Sequence, residues 1–184
     1  MKTLPFIIFG LAVLAQWAVP LAQIRAHEQT LAHGTLMRIK CAAPDPYDPL
    51  RGRYLAVRPE QRDAPAAKAV ELQRGQHVYA VLTPSADGLT KVSSLDLAPP
   101  ADGNFIRVKA GWHTGTDRYR IEWPFDRFYI NEKLAPEADK WFAENIRSTK
   151  GIIAEVRVLD GRAVLADLSF DGRPFREILK ERVK

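Results

Sequence analysis

Asp45, Asp48, Arg51 and Tyr54 bring two carboxylates, a guanidinium and a phenol into one short stretch, Pro44-Asp45-Pro46-Tyr47-Asp48-Pro49-Leu50-Arg51-Gly52-Arg53-Tyr54. Proline fixes its own φ and pushes the preceding residue out of the helical region, so Pro44, Pro46 and Pro49 make this stretch stiff and non-helical. Asp45 and Asp48 could offer oxygens to Ca²⁺, but a hard cation takes about six to eight oxygen ligands. The same carboxylates can bond to loop amides as Asx turns or pair with Arg51 or Arg53. A structural corner is the expectation, with Asp48 holding loop amides or Arg51 and Gly52 supplying a conformation other residues adopt with strain.

Other reactive residue types are scattered. The single cysteine, Cys41, excludes an intrachain disulfide. It alternates with Arg38 and Lys40 in a strand pattern, which predicts a buried thiol in preference to a nucleophile. The histidines are His27, His33, His77 and His113, and no two are spaced to share a metal on a helix face. A signal-peptidase-like protease would place a serine soon after an N-terminal apolar segment, with a lysine base. Residues 31 to 84 contain no serine, and Ser85, Ser93, Ser94, Ser148 and Ser169 fall in turns, strands or polar helix ends. The 11 glycines are dispersed as turn residues and form no phosphate loop. No cofactor is expected, and no carboxylate pair suggests an acid and a base.

The 184 residues suit one domain, with 46% hydrophobic and 27% charged residues. The net charge of +5 is mild, and its lysines and arginines are spread along strands instead of blocked, which argues against nucleic-acid binding. From Leu4 to Ala22 the only clearly polar residue is Gln16. About 20 residues at 1.5 Å rise cross a bilayer's hydrocarbon core, whereas the apolar core of a signal peptide runs about 7 to 15. No Ala-x-Ala precedes Gly34. A retained anchor is therefore expected, with residues 4–22 in the bilayer; the alternative is cleavage and secretion. Lys2 precedes the span, while Arg25 and Glu28 after it offset each other, so the N-terminus is expected inside and the rest exported.

Ile24 to His33 reads as a helical extension stopped by Gly34. Met37, Ile39 and Cys41 then define a half-buried strand, and Tyr54 to Val57 resumes extended structure. Residues 59 to 68, with prolines, charges and alanines, read as a surface loop. Strands are predicted at 77–83, 89–95, 105–112, 119–123, 152–158 and 163–168. Asp-Gly pairs at 87–88, 102–103, 160–161 and 171–172 tolerate the positive φ of tight hairpins. One helix begins near Pro136, with Ala138, Trp141, Phe142 and Ile146 at helical spacing and Arg147 and Lys150 at its end; Trp141 and Phe142 are expected to pack it on the sheet. Phe175, Ile178 and Leu179 suggest a short terminal helix over an open edge. The fold class is mainly β (α+β): an antiparallel domain over 34–184 with one packed helix, after a membrane anchor and short extension over 1–33.

Two stretches resemble the GDYXXLXY family of small bacterial membrane-anchored proteins, a group with no established activity. That family's pattern is an Asp-Pro-x-Asp loop followed by Arg-Gly-Asp-Tyr-x-x-Leu-x-Tyr. Asp45, Pro46 and Asp48 match the first part, and Arg51, Gly52 and Tyr54 match the second. Arg53, Val57 and Pro59 stand where the pattern has Asp, Leu and Tyr. Phe125 to Glu132, with Arg127, Phe128, Tyr129 and Glu132, is similar to the family's aromatic strand leading into a Glu-rich helix start. The resemblance implies an inner-membrane protein with its domain outside the cytoplasm, encoded beside a polytopic membrane protein that would be its partner. The anchor, the β domain and the missing catalytic set lead to the expectation of a non-enzymatic, membrane-tethered interaction module; the alternative is an exported small-molecule-binding or hydrolytic domain with its site in the Asp45–Tyr54 loop.

Overall fold

The computed structural model describes residues 4–42, 54–67, 71–145 and 151–182. The expectations placed on Asp45, Pro46, Asp48, Arg51, Gly52, Ile146, Arg147 and Lys150 lie outside the described residues. Helix α1 (Leu4–His33) is a single run of 30 residues, about 45 Å at 1.5 Å per residue. Phe9, Leu14, Trp17, Leu21 and Ile24 are all exposed along it, so none of the described residues covers this apolar surface. It is long and apolar enough to cross a membrane. The helix stops where expected. Gly34 N–H donates to the Thr30 carbonyl at 2.9 Å, and a side chain at Gly34 would collide with that carbonyl and with Val158.

Strands follow in chain order: β1 (Thr35–Cys41), β2 (Tyr54–Ala56), β3 (Asp63–Pro65), β4 (His77–Pro84), β5 (Thr90–Asp96), β6 (Asn104–Gly115), β7 (Arg118–Glu122) and β8 (Arg127–Tyr129). Then come helix α2 (Ala135–Asn145), strands β9 (Ile152–Leu159), β10 (Arg162–Phe170) and β11 (Arg173–Pro174), and helix α3 (Phe175–Arg182). They form a five-stranded sheet, β3-β7-β6-β4-β5, a four-stranded sheet, β1-β9-β10-β11, and a separate ribbon, β2-β8. All ladders are antiparallel. The alternation in the sequence reports the buried face: Met37, Ile39 and Cys41 of β1 point into the core while Arg38 and Lys40 face water. Asp160-Gly161 and Asp171-Gly172 both carry positive φ at the two positions, as a mirror-image two-residue hairpin turn requires. Gly161 is needed twice over, since a Cβ there would also lie 2.6 Å from Phe105.

Of the stretch read as a surface loop at 59 to 68, the described residues 59–67 are instead the suture of the domain. Ala42 N–H donates to Arg58 O at 2.8 Å and Glu60 N–H to Lys40 O at 2.9 Å, extending the four-stranded sheet beyond β1. The Gln61 side-chain amide then grips the backbone of β5: its Nε2 donates to Val92 O at 2.7 Å, and Val92 N–H donates to its Oε1 at 2.9 Å. Residues 63–65 pair with β7, and Ala67 N–H reaches Leu95 O of β5 at 2.8 Å. The five-stranded sheet thus curls until its two edges meet, and Ala64 at the seam is fully buried. Prolines and charges hid this segment because each pairing is only a few residues long.

Two helices pack on the domain, the one expected near Pro136 and the short terminal one expected from Phe175, Ile178 and Leu179. Trp141 and Phe142 of α2 meet Phe170 at 4.7 and 5.6 Å between ring centroids, as expected of a helix packed on a sheet. Phe175 at the start of α3 joins the same cluster, 5.3 Å from Trp141. The short α3 also buries Ile178 and Leu179.

Candidate functional site

The two stretches that carry the sequence motifs meet in space. Tyr54 pairs with Tyr129, Leu55 with Phe128 and Ala56 with Arg127. The period of two turns Leu55 and Phe128 inward, where both are buried, and leaves Tyr54, Arg127 and Tyr129 on the outer face. Underneath, the Phe128 ring contacts Phe175 at 6.5 Å, so the ribbon is seated on the aromatic cluster that α2 and α3 close.

On the outer face the Tyr54 and Tyr129 rings lie 5.9 Å apart, and the Arg127 guanidinium sits 4.8 Å from the centre of the Tyr54 ring. Such a stack combines aromatic and cation–π attraction. A hydrogen bond to Tyr129, then the charge of Asp126 at 3.6 Å, raise the affinity of Arg127 for its proton. Tyr129 is 68% exposed. Glu132 is not in the ribbon. It stands in the turn before α2, where Asn131 Oδ1 accepts from Lys133 N–H at 2.9 Å.

A groove of about 320 Å³ lies beside the ribbon's continuation. Val57 N–H donates to Asp126 O at 2.8 Å, and the chain on either side of this bond supplies Arg58, Trp123, Phe125 and Asp126 to the walls. Arg62 and Arg120 line the same groove. In the sequence Phe125 and Asp126 lie in the second motif stretch, Arg62 falls within the segment read as a surface loop, and Arg58 carries no reading. Only the pairing of two distant segments brings them together.

Cys41 is a core residue, not a nucleophile. Burial pushes its thiol up to about 12, against the smaller opposing effect of the Ala154 amide. Among the described residues no three His, Cys, Asp or Glu side chains are gathered as metal ligands would be.

A β-rich domain with a closed sheet and an exposed aromatic ribbon, carried on one helix of membrane-spanning length, defines the class of this protein. The family model for the GDYXXLXY protein matches residues 16–168, and the chain belongs to that family. No curated protein and no solved structure matches the chain.

Proposed function

We propose that this chain is a non-enzymatic accessory module of a bacterial inner membrane, anchored by α1, with its β domain outside the cytoplasm. The β2–β8 ribbon docks on the exposed surface of a polytopic membrane protein. The observation that carries this reading is the exposed Tyr54–Arg127–Tyr129 stack. Tyrosine and arginine supply large, semi-rigid contact area and dominate the centres of protein interfaces. Here they are held on a ribbon whose inner side is anchored in the core. Uncovered apolar side chains along α1 support the lipid environment, because water would penalise each of them.

The test is topological and biochemical. A C-terminal reporter active only outside the cytoplasm is expected to be active, and the chain to stay with membranes after a carbonate wash. A membrane protein is expected to co-purify after gentle solubilisation. An inactive reporter on a chain that reaches the membrane would reverse the orientation, and release of a shortened soluble form would replace the anchor by a cleaved leader.

A further inference from the structure

Arg58, Arg62 and Arg120 surround a groove whose remaining surface is largely apolar, with Ile121, Trp123 and Phe125 in its walls. Several arginines elsewhere are paired with carboxylates: Arg118 with Asp63, Arg173 with Glu181, Arg182 with Glu144. Among the described residues, none of the three groove arginines has a carboxylate within ion-pair distance. Asp126, the one acid lining the groove, is already beside Arg127 at 3.6 Å. Arg120 is held over the Trp112 ring at 5.1 Å, which restrains its side chain without cancelling its charge. The groove therefore carries arginine charge without an ion-pair partner next to the half-buried Trp123 ring.

Guanidinium groups present their N–H donors in a planar fork that matches carboxylate and phosphate oxygens. The Trp123 indole N–H is spent on Gln61 O at 3.2 Å, so only its ring surface is left for a ligand. The groove volume of about 320 Å³ sits at the lower end of small-ligand sites, which run roughly 300–1,000 Å³. We propose that this groove binds a small amphipathic oxyanion, a phosphate or carboxylate on an apolar or ring-shaped body. The arginines take the oxyanion and the Trp123–Phe125 wall covers the body. Tyr54 and Tyr129 do not line the groove, so this site stands or falls separately from docking by the ribbon.

The test uses the full chain in detergent micelles, labelled with ¹⁵N at its 4 tryptophans, with the Trp123 indole signal assigned through Trp123→Phe. Phenyl phosphate is titrated against inorganic phosphate and benzyl alcohol. The Trp123 signal is expected to move and saturate with phenyl phosphate, while Trp17 and Trp141 stay fixed. Phenyl phosphate is expected to bind at least about tenfold more tightly than either comparator. The double variant Arg58→Ala/Arg62→Ala is expected to weaken it at least about tenfold, and a lysine pair to restore part of the loss. Unmoved Trp17 and Trp141 signals in the variants establish that the fold is intact. The site is overturned if Trp123 does not respond, if benzyl alcohol does as well, or if the arginine variants bind undiminished. Saturation by hexaglutamate at lower concentration than phenyl phosphate would assign the groove to an acidic peptide instead.

Discussion

Burial of Cys41 raises its thiol from an ordinary 9.0 to about 12, because a thiolate loses its hydration inside the sheet. Folded protein thus holds this proton more tightly than unfolded chain does. The stability it contributes is complete below pH 9.0 and is lost as pH climbs through about 12. The expected outcome is that the melting-temperature gap between the native protein and Cys41→Ala, measured in micelles, narrows across that window. The underlying difference shrinks by at most about 1.4 kcal/mol per pH unit; a constant gap would mean the thiol is not buried. Alternation with Arg38 and Lys40 was enough to read this residue from the sequence. Arg58 and Arg62 were not readable that way. Their roles depend on Trp123 and Phe125, some sixty residues away along the chain, and no local spacing encodes that meeting.

At the scale of elements, the long alternating strands and the Asp-Gly turns at 160–161 and 171–172 were legible because each is a local rule: side-chain period, and positive φ at two adjacent residues. The segment from Tyr54 to Ala67 was not, since it changes partner every few residues, from β8 to β1, β5 and β7. Short pairings leave no period to detect, and a proline at 65 argues against a strand unless that strand lies at an edge. Gln61 is the residue on which the seam depends most, because one amide satisfies both the N–H and the C=O of Val92. Gln61→Ala is therefore expected to lower stability by about 1–3 kcal/mol through the lost bonds. Lys91→Ala, an exposed change beside it, is expected to stay within about 0.5 kcal/mol. Equal melting temperatures for Gln61→Ala and the native chain would show that the edges meet without this clasp.

At the scale of the whole molecule, a helix of membrane-spanning length ends where Gly34 turns the chain into the domain, and Arg157 fastens that junction by donating to Gly34 O at 3.0 Å. Motif segments separated by some seventy residues form one ribbon, with the aromatic cluster of α2 and α3 beneath it and the tyrosine–arginine stack above. The sequence resemblance singled out Tyr54, Arg127, Phe128 and Tyr129 without indicating that they pair; strand pairing across that distance is a property of the fold. If the ribbon is the docking surface, its outer side chains touch the partner and the opposite features of the domain do not. The most direct measurement is photo-cross-linking in cells with a light-activated residue placed singly at Tyr129 or at Asp139, an exposed position on α2. The account predicts one dominant adduct with a membrane-integral protein from position 129, lost when Arg127→Glu is added, and none from position 139. Equal labelling from both positions, or no adduct from 129 in a chain that reaches the membrane folded, would contradict it.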